Sequence, residues 1–404
     1  MGNSERQISG DIVRDDLDRP IVYMDNHATT QVDPRVLDAM LPWFSRKYGN
    51  ASSVNHFFGR EAAAAVDAAR EQAAALLNIP PRSLVFTSGA TEANNLALKG
   101  VLRASGSEAH LITTAAEHRS VLDPARRLKR LGFGVTVLPV DRFGRIDPGD
   151  VEQAIRPGTV LVSVIYASNE VGTINDVAAI GEVCRARGVL FHTDAVQAVG
   201  KLPIDLNDLP IDLLSLSAHK LYGPKGVGVL YVRRGEPRIA MEPLFDGGGQ
   251  EGHLRSGTLA VPQIVGLGRT CEIAGEESEL EVERIGALRD RLWNGLQSEL
   301  SGLRLNGDPE HRLAGNLNVS FESVDGEALS ARLQDVAVSS GSACTTSTPE
   351  PSHVLRAMGL DETLARASLR FGLGRFNTAA EVERVVQCVA GAVRALRGLR
   401  VKRN

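Results

Sequence analysis

The chain has 404 residues, of which 43% are hydrophobic and 23% charged, and a formal net charge of −4. That length supports two units with cores of their own, and the slight acidity gives no basis for expecting nucleic-acid binding. No apolar run approaches the roughly 18 residues of a membrane-spanning helix, so no membrane association is expected.

Met1 to Pro20 is polar and acidic and lacks the apolar centre of a signal peptide. Arg6 stands where a myristoylation signal needs Ser or Thr. Residues 1–20 therefore read as a flexible leader. From Ser83 to Val232 short apolar runs alternate with stretches of helical period. Strands are predicted at Leu84 to Thr87, His110 to Thr114, Val135 to Pro139, Val160 to Tyr166, Val189 to Thr193, Leu213 to Ser217 and Gly228 to Val232. Val177 to Arg187 is one of the helical patterns between them. This alternation predicts an α/β fold with a mostly parallel sheet covered by helices. After Gly268 the texture changes to a charged helix over Glu276 to Leu300, then strands near Leu303 to Leu305, Leu317 to Phe321 and Ser368 to Gly372. A last helix is predicted from Thr378 to Leu396. The expected division is a large domain over residues 30–270 and a smaller α+β domain made of 21–29 and 271–404.

Four cysteines stand at 184, 271, 344 and 388, with no CxxC pair and no disulfide-like spacing. Cys184, Cys271 and Cys388 fall in helical patterns and read as packed thiols. The expected setting is a reducing cytoplasm. No HExxH, GxxxxGK[ST] or paired-cysteine motif is present, so no resident metal is expected.

The residues that could carry chemistry follow strands, where ligands gather in parallel sheets. Lys220 lies in Ser217-Ala-His-Lys220, between an apolar run and the glycine-rich Leu-Tyr-Gly-Pro-Lys-Gly. A lysine anchored at such an end suits a Schiff base with an aldehyde cofactor. A surface lysine before a turn is the alternative. Ser88-Gly-Ala90-Thr91-Glu92 leads from a strand into a helix beginning near Ala93. Free N–H groups and the helix dipole there suit a phosphate, while an ordinary N-cap by Thr91 is the plainer reading. Asp194 could pair with a protonated pyridine nitrogen or cap the next helix. His118 could stack on a ring or shuttle protons, or be a polar loop residue. Arg370 could grip a carboxylate with two donors. Cys344 lies in a Ser/Gly/Thr-rich stretch with little apolar content, which suits a nucleophilic thiol that needs access. An incidental loop thiol is the alternative. Gly247 to Gly252, leading into Arg255-Ser-Gly-Thr258, is a further glycine-rich candidate loop.

Taken together, the segments Tyr23-Met-Asp-Asn-His-Ala-Thr-Thr30, Thr87 to Glu92, His192-Thr-Asp-Ala-Val-Gln197, Ser217 to Lys220, Arg255 to Thr258 and Ser339-Ser-Gly-Ser-Ala-Cys344 resemble a cysteine desulfurase. The branch is the long-loop, NifS/IscS-like one of the class V aminotransferase group. The resemblance implies a fold-type-I homodimer dependent on pyridoxal 5′-phosphate, with L-cysteine as substrate. Lys220 would bond the cofactor aldehyde, Asp194 the ring nitrogen and Gln197 the ring hydroxyl, while His118 would stack on the ring. Thr91, Ser217 and His219 would hold the phosphate, with Thr258 reaching in from the second subunit, and Ala90 would contact the cofactor. Asn169 would contact the cofactor and, with Arg370, the substrate carboxylate. Cys344 would take the sulfur as a persulfide, leaving alanine, and could ligate an iron–sulfur cluster transiently. The sulfur would pass to an acceptor such as an iron–sulfur scaffold. Relatives usually extend beyond the last helix with a scaffold-docking tail, whereas here Asn404 follows soon after Leu396, so the expectation is either no scaffold docking or docking on a different surface. Ala51 after Asn50 and Ser168 before Asn169 also depart from the family pattern. A β-lyase giving pyruvate, a selenocysteine lyase, an aminotransferase or an inactive adaptor are the competing readings; the first three need no persulfide-bearing cysteine.

Overall fold

The computed structural model describes residues 21–340 and 350–401. Residues 1–20, expected to form a leader, and the segment carrying Cys344 lie outside the described residues. The strands in chain order are β1 (Val22–Tyr23), β2 (Leu84–Thr87), β3 (His110–Thr114), β4 (Gly134–Leu138), β5 (Thr159–Ser163), β6 (Leu190–Asp194), β7 (Leu213–Ser217), β8 (Gly228–Val232), β9 (Leu303–Asn306), β10 (Asn316–Phe321), β11 (Val336–Ala337), β12 (Ser339–Ser340) and β13 (Ser368–Gly372).

Seven of these form one sheet in the order β2-β8-β7-β6-β5-β3-β4. Within it only β8 runs against its neighbours. Every residue of β2, β3, β7 and β8 is buried, as expected of strands covered by helices on both faces. The crossover helices include Ala90–Ala104, Arg119–Arg130 and Val177–Ala186. Parallel strands bring their carboxyl ends to one edge of the sheet. Gly228, at the start of β8, pairs with both Thr87 and Ser217, the last residues of β2 and β7. A Cβ at Gly228 would lie 2.8 Å from the backbone of Gly89 and 2.6 Å from the Leu216 carbonyl. The lack of a side chain there lets the turn after β2 and the turn after β7 lie side by side.

A second, four-stranded sheet has the order β12-β13-β10-β9, and β1 pairs in parallel with β11. The helix Val261–Glu299 spans 39 residues and joins the two regions. Its first half packs Ile264, Leu267 and Cys271 into the core beside the seven-stranded sheet. Its second half packs Ile285, Leu288, Leu292 and Leu296 into a separate core with Phe321, Phe371 and the helix Ala379–Val401.

Several boundaries differ from the sequence reading, and three of the differences have a clear physical reason. The strand expected over Val160 to Tyr166 ends at Ser163, because the Ile165 N–H turns to the buried carboxylate of Glu117 at 2.7 Å. The long helix begins at Val261 rather than Glu276. Gly268, after which the sequence texture changes, lies inside the helix as a contact point: a Cβ there would stand 2.6 Å from the Cα of Ala69 in the helix Phe57–Leu76. The helix expected near Ala93 starts at Ala90 with Gly89, not Thr91, as its N-cap.

Candidate active site

Most of the sequence candidates meet in one cavity of about 550 Å³ at the carboxyl ends of β2, β3, β6 and β7. Ala90, Thr91, His118, Asn169, Asp194, Gln197, Ser217, His219 and Lys220 all line it. Thr258 does not line it and is exposed. Arg370 stands just behind, donating to the carbonyl of Asn169 at 3.1 Å. Cys344 lies outside the described residues.

At one end the helix Ala90–Ala104 points its start into the cavity. Its N-cap is Gly89, with φ of 146° and no side chain to satisfy the first amides. These orphan N–H groups, with Ser217 and His219 on the adjoining turn, form an anion-binding end.

At the other end Asp194 closes β6, only 4% exposed. Asn94 donates to its Oδ2 at 2.7 Å and the Val196 N–H to its Oδ1 at 3.1 Å. Asn94 also donates to the Ser120 hydroxyl at 2.8 Å, and that hydroxyl lies 2.7 Å from Nδ1 of His118. Since the Ser120 N–H also points at this nitrogen, at 3.1 Å, Nδ1 is the acceptor and a neutral ring carries its hydrogen on Nε2. Burial lowers the His118 pKa against the opposing pull of Asp194, which favours that neutral form.

Lys220 ends the short turn Ala218–Lys220 after β7. Its Nζ donates to the carbonyl oxygens of His27, at 2.7 Å, and Ala28. Burial, together with the nearby Arg370 guanidinium, pushes its pKa down to about 8, with Asp25 and Asp194 resisting. The result is an amine with a usable neutral fraction near neutral pH. Gln197 is held from below: its Oε1 accepts from Lys201 Nζ at 2.9 Å and faces His27 Nδ1 at 2.9 Å, while its Nε2 donates to the His27 carbonyl at 3.0 Å.

Arg370 comes from β13 and pairs with Asp25 at 2.8 Å and with the Ser339 hydroxyl at 2.7 Å. Among the described residues its Nε is buried without a partner. A buried guanidinium N–H without an acceptor is costly unless a ligand supplies one. Glu117 is fully buried, with its pKa pushed up to about 8 by burial.

Sequence reasoning gave no role to several residues at this site. Ala28, Thr29, Ser120, Ile165 and Lys225 line the cavity, and Asn94 orients Asp194 from a helix interior. The segment Tyr23 to Thr30 was legible only as a motif, since a two-residue strand and a turn leave no periodicity to read. Asn94 carried no signal: an asparagine inside a helical pattern is ordinarily a surface residue, and only the fold turns it toward β6. Cys184 and Cys271 are buried, and burial raises both thiols to about 12, which leaves them protonated and inert.

Residues 22–385 match the family model "Aminotransferase class-V". The chain is 54% identical over 379 residues to "Cysteine desulfurase IscS" of Anaeromyxobacter dehalogenans, covering 93% of each chain. It is 52% identical over 380 residues to the human "Cysteine desulfurase", covering 94% of this chain and 83% of that one. Among solved structures, a "NIFS-LIKE PROTEIN" superposes with a TM-score of 0.87 at 38% identity, covering 93% of this chain and 100% of that chain. Another, described as "SspA in complex with cysteine", gives a TM-score of 0.78 at 38% identity, covering 88% and 100%. The chain belongs to the aminotransferase class-V family and, within it, to the cysteine desulfurases.

Proposed function

We propose that the chain takes sulfur from L-cysteine with pyridoxal 5′-phosphate as cofactor, releases L-alanine and carries the sulfur as a persulfide on Cys344. The observation that carries the reading is one cavity holding an uncapped helix start, a lysine of lowered basicity and a buried, oriented carboxylate. These match the phosphate, aldehyde and pyridine nitrogen of that cofactor. When bound, it would supply an electron sink for charge developed at the substrate Cα.

Each residue then has a definite task. Ala90, Thr91, Ser217 and His219 hold the phosphate. Lys220 would hold the aldehyde end, and its Nζ, when neutral, would accept the substrate Cα proton. Asp194, fixed by Asn94, keeps the ring nitrogen protonated. Gln197, whose Oε1 is already taken by Lys201 and faces His27, has an Nε2 hydrogen to offer the ring oxygen. His118, lining the cavity as the neutral tautomer, would face the ring. Asn169 and the Arg370 Nε, unpartnered among the described residues, would receive the substrate carboxylate. The Cys344 thiolate attacks the substrate sulfur, an S–S bond forms as the C–S bond breaks, and the electron pair left on carbon takes a proton. L-cysteine and the enzyme thiol thus become L-alanine and the enzyme persulfide.

A homodimer is supported by an exposed apolar stretch and by the position of Thr258. Leu37, Leu41, Phe44, Tyr48, Val54, Phe57 and Phe58 are each more than a third exposed, and Tyr48 stacks on Phe58 with ring centres 5.6 Å apart. So many large apolar side chains in about twenty residues mark a covered face. A second copy fits because Thr258, exposed and not lining its own cavity, can then serve the other. The persulfide sulfur passes to an acceptor protein, of which an iron–sulfur scaffold is the expected class. A reducing compartment suits a working thiol, and among the described residues no helix is long and apolar enough to cross a membrane.

Product analysis tests the reading. Incubation with L-cysteine and a thiol reductant is expected to give alanine and sulfide in equal amounts, with both lost in Cys344→Ala. Pyruvate as the main product, or a fully active Cys344→Ala, overturns it in favour of a lyase.

A further inference from the structure

The anion-binding end of the cavity contains a carboxylate. Glu92 lies in the first turn of the helix Ala90–Ala104, lines the cavity, and has a side chain only 8% exposed. A negative charge there opposes an anion bound at the same helix start. Its presence has a structural reason. Oε2 accepts the Ser88 N–H at 2.7 Å, closing the turn before Gly89, which has no side chain to do so. Burial acts to raise the Glu92 pKa, but bonds from Arg255 and Ser88 outweigh it and keep the group ionised.

The other oxygen, Oε1, accepts from Arg255 Nε at 2.9 Å. Arg255 is not among the cavity's lining residues. Its segment is fixed independently of Glu92. Glu251 accepts from Arg70 at 2.6 and 3.0 Å and from the Phe86 N–H at 2.7 Å, and Gln250 accepts the Gly257 N–H at 2.8 Å. The guanidinium is therefore held against Glu92 from behind the cavity wall.

We propose that Arg255 is a positioning residue for the cofactor phosphate: by pairing with Glu92 it cancels the carboxylate's charge, so that Glu92 shapes the Ser88–Gly89 turn without repelling the phosphate. This rests on the pyridoxal phosphate reading above. Arg255 touches neither cofactor nor substrate in this account; it acts through Glu92.

The test compares two ligands that differ only in the phosphate. Full-length chain stripped of cofactor is titrated with pyridoxal phosphate and, separately, with pyridoxal, and binding is followed by the absorbance of the Lys220 adduct. Arg255→Gln is expected to weaken pyridoxal phosphate binding by about tenfold or more, as an uncompensated charge near an anion demands. Pyridoxal binding changes by no more than about twofold, because that ligand carries no phosphate charge. Arg255→Lys, which keeps the charge, retains the preference for the phosphorylated ligand. The double variant Glu92→Gln/Arg255→Gln, which removes both charges, recovers it. Equal weakening toward the two ligands in Arg255→Gln, or no recovery in the double variant, overturns the proposal. An unsubstituted chain that binds neither ligand overturns the cofactor reading itself.

Discussion

The Nζ of Lys220 donates to the backbone carbonyl of His27 at 2.7 Å, across 193 positions of sequence. The same carbonyl accepts from Nε2 of Gln197, and the His27 ring faces the Gln197 amide oxygen. A turn in the N-terminal segment thus holds both the lysine and the amide that the proposed mechanism sets around the cofactor ring. The ring of His27 is fully buried, and burial together with the Lys201 charge lowers its pKa well below the usual value. It is a neutral spacer in this arrangement rather than a second acid.

The lowered basicity of Lys220 makes a pH prediction. An amine is nucleophilic only when neutral, so capture of the cofactor aldehyde by the stripped chain should rise as pH rises through about 8 rather than near 10.5. Burial is the larger cause and Arg370 the next, so Arg370→Gln should move the midpoint upward without restoring the free value. Stopped-flow absorbance across pH 6–10 reads this directly. A native midpoint near 10 would show that the site does not desolvate the amine.

Asn94 is predicted to matter although it meets neither substrate nor cofactor. Asn94→Ala removes the donor to Asp194 Oδ2 and the link to Ser120, leaving a buried carboxylate oxygen without its partner. Such a loss costs about 1–3 kcal/mol. Urea unfolding should show that loss, and kcat should fall while Thr91 and its neighbours still hold the phosphate. An unchanged kcat would mean that Asp194 needs no orientation.

The exposed stretch from Leu37 to Phe58 predicts the assembly. The native chain should sediment at twice the 43.3 kDa of one copy. Phe44→Glu/Phe57→Glu, which places charge on two side chains 55% and 64% exposed in one chain, should give monomers that keep their helix content. Those monomers should also bind pyridoxal phosphate more weakly, because Thr258 no longer reaches a second cavity. A native monomer of full activity would overturn this arrangement.

How far the sequence led can be read from individual residues. Lys220, Asp194 and Thr91 were legible because each ends or follows a strand recognisable from its short apolar start, and the parallel sheet then brings those ends together. β8 was legible as a strand but not as the antiparallel one, since its direction depends on the tight turn after Lys220, where Gly228 admits the backbone of Gly89. The start of the long helix was misplaced for the opposite reason: glycine has a low helix propensity, while close packing of Gly268 against Ala69 keeps it inside the helix. The ion pairs of Glu92 with Arg255 and of Asp25 with Arg370 join residues 163 and 345 positions apart, and no local pattern announces such partners.

Glu117 supplies a prediction whose sign is set by burial. Its pKa is pushed up to about 8 from an unperturbed 4.5, chiefly by burial, with the Asp194 charge adding and the Ile165 N–H opposing. Below about pH 4.5 the acid is neutral both folded and unfolded, and its stabilising contribution is fully present. As pH rises toward 8 the unfolded chain gives up this proton while the folded chain keeps it, so stability declines; above 8 the decline levels off. Glu117→Gln has no proton to lose there, and its carbonyl oxygen can still accept from Ile165 and Thr114. The unpartnered amide nitrogen that replaces Oε2 costs the same at every pH, so the comparison rests on slopes. Urea unfolding at pH 5.5 and 8.5 should show native stability falling relative to Glu117→Gln by on the order of 3 kcal/mol. Parallel pH profiles would show that Glu117 is ionised in the folded chain, with a buried donor to its second oxygen.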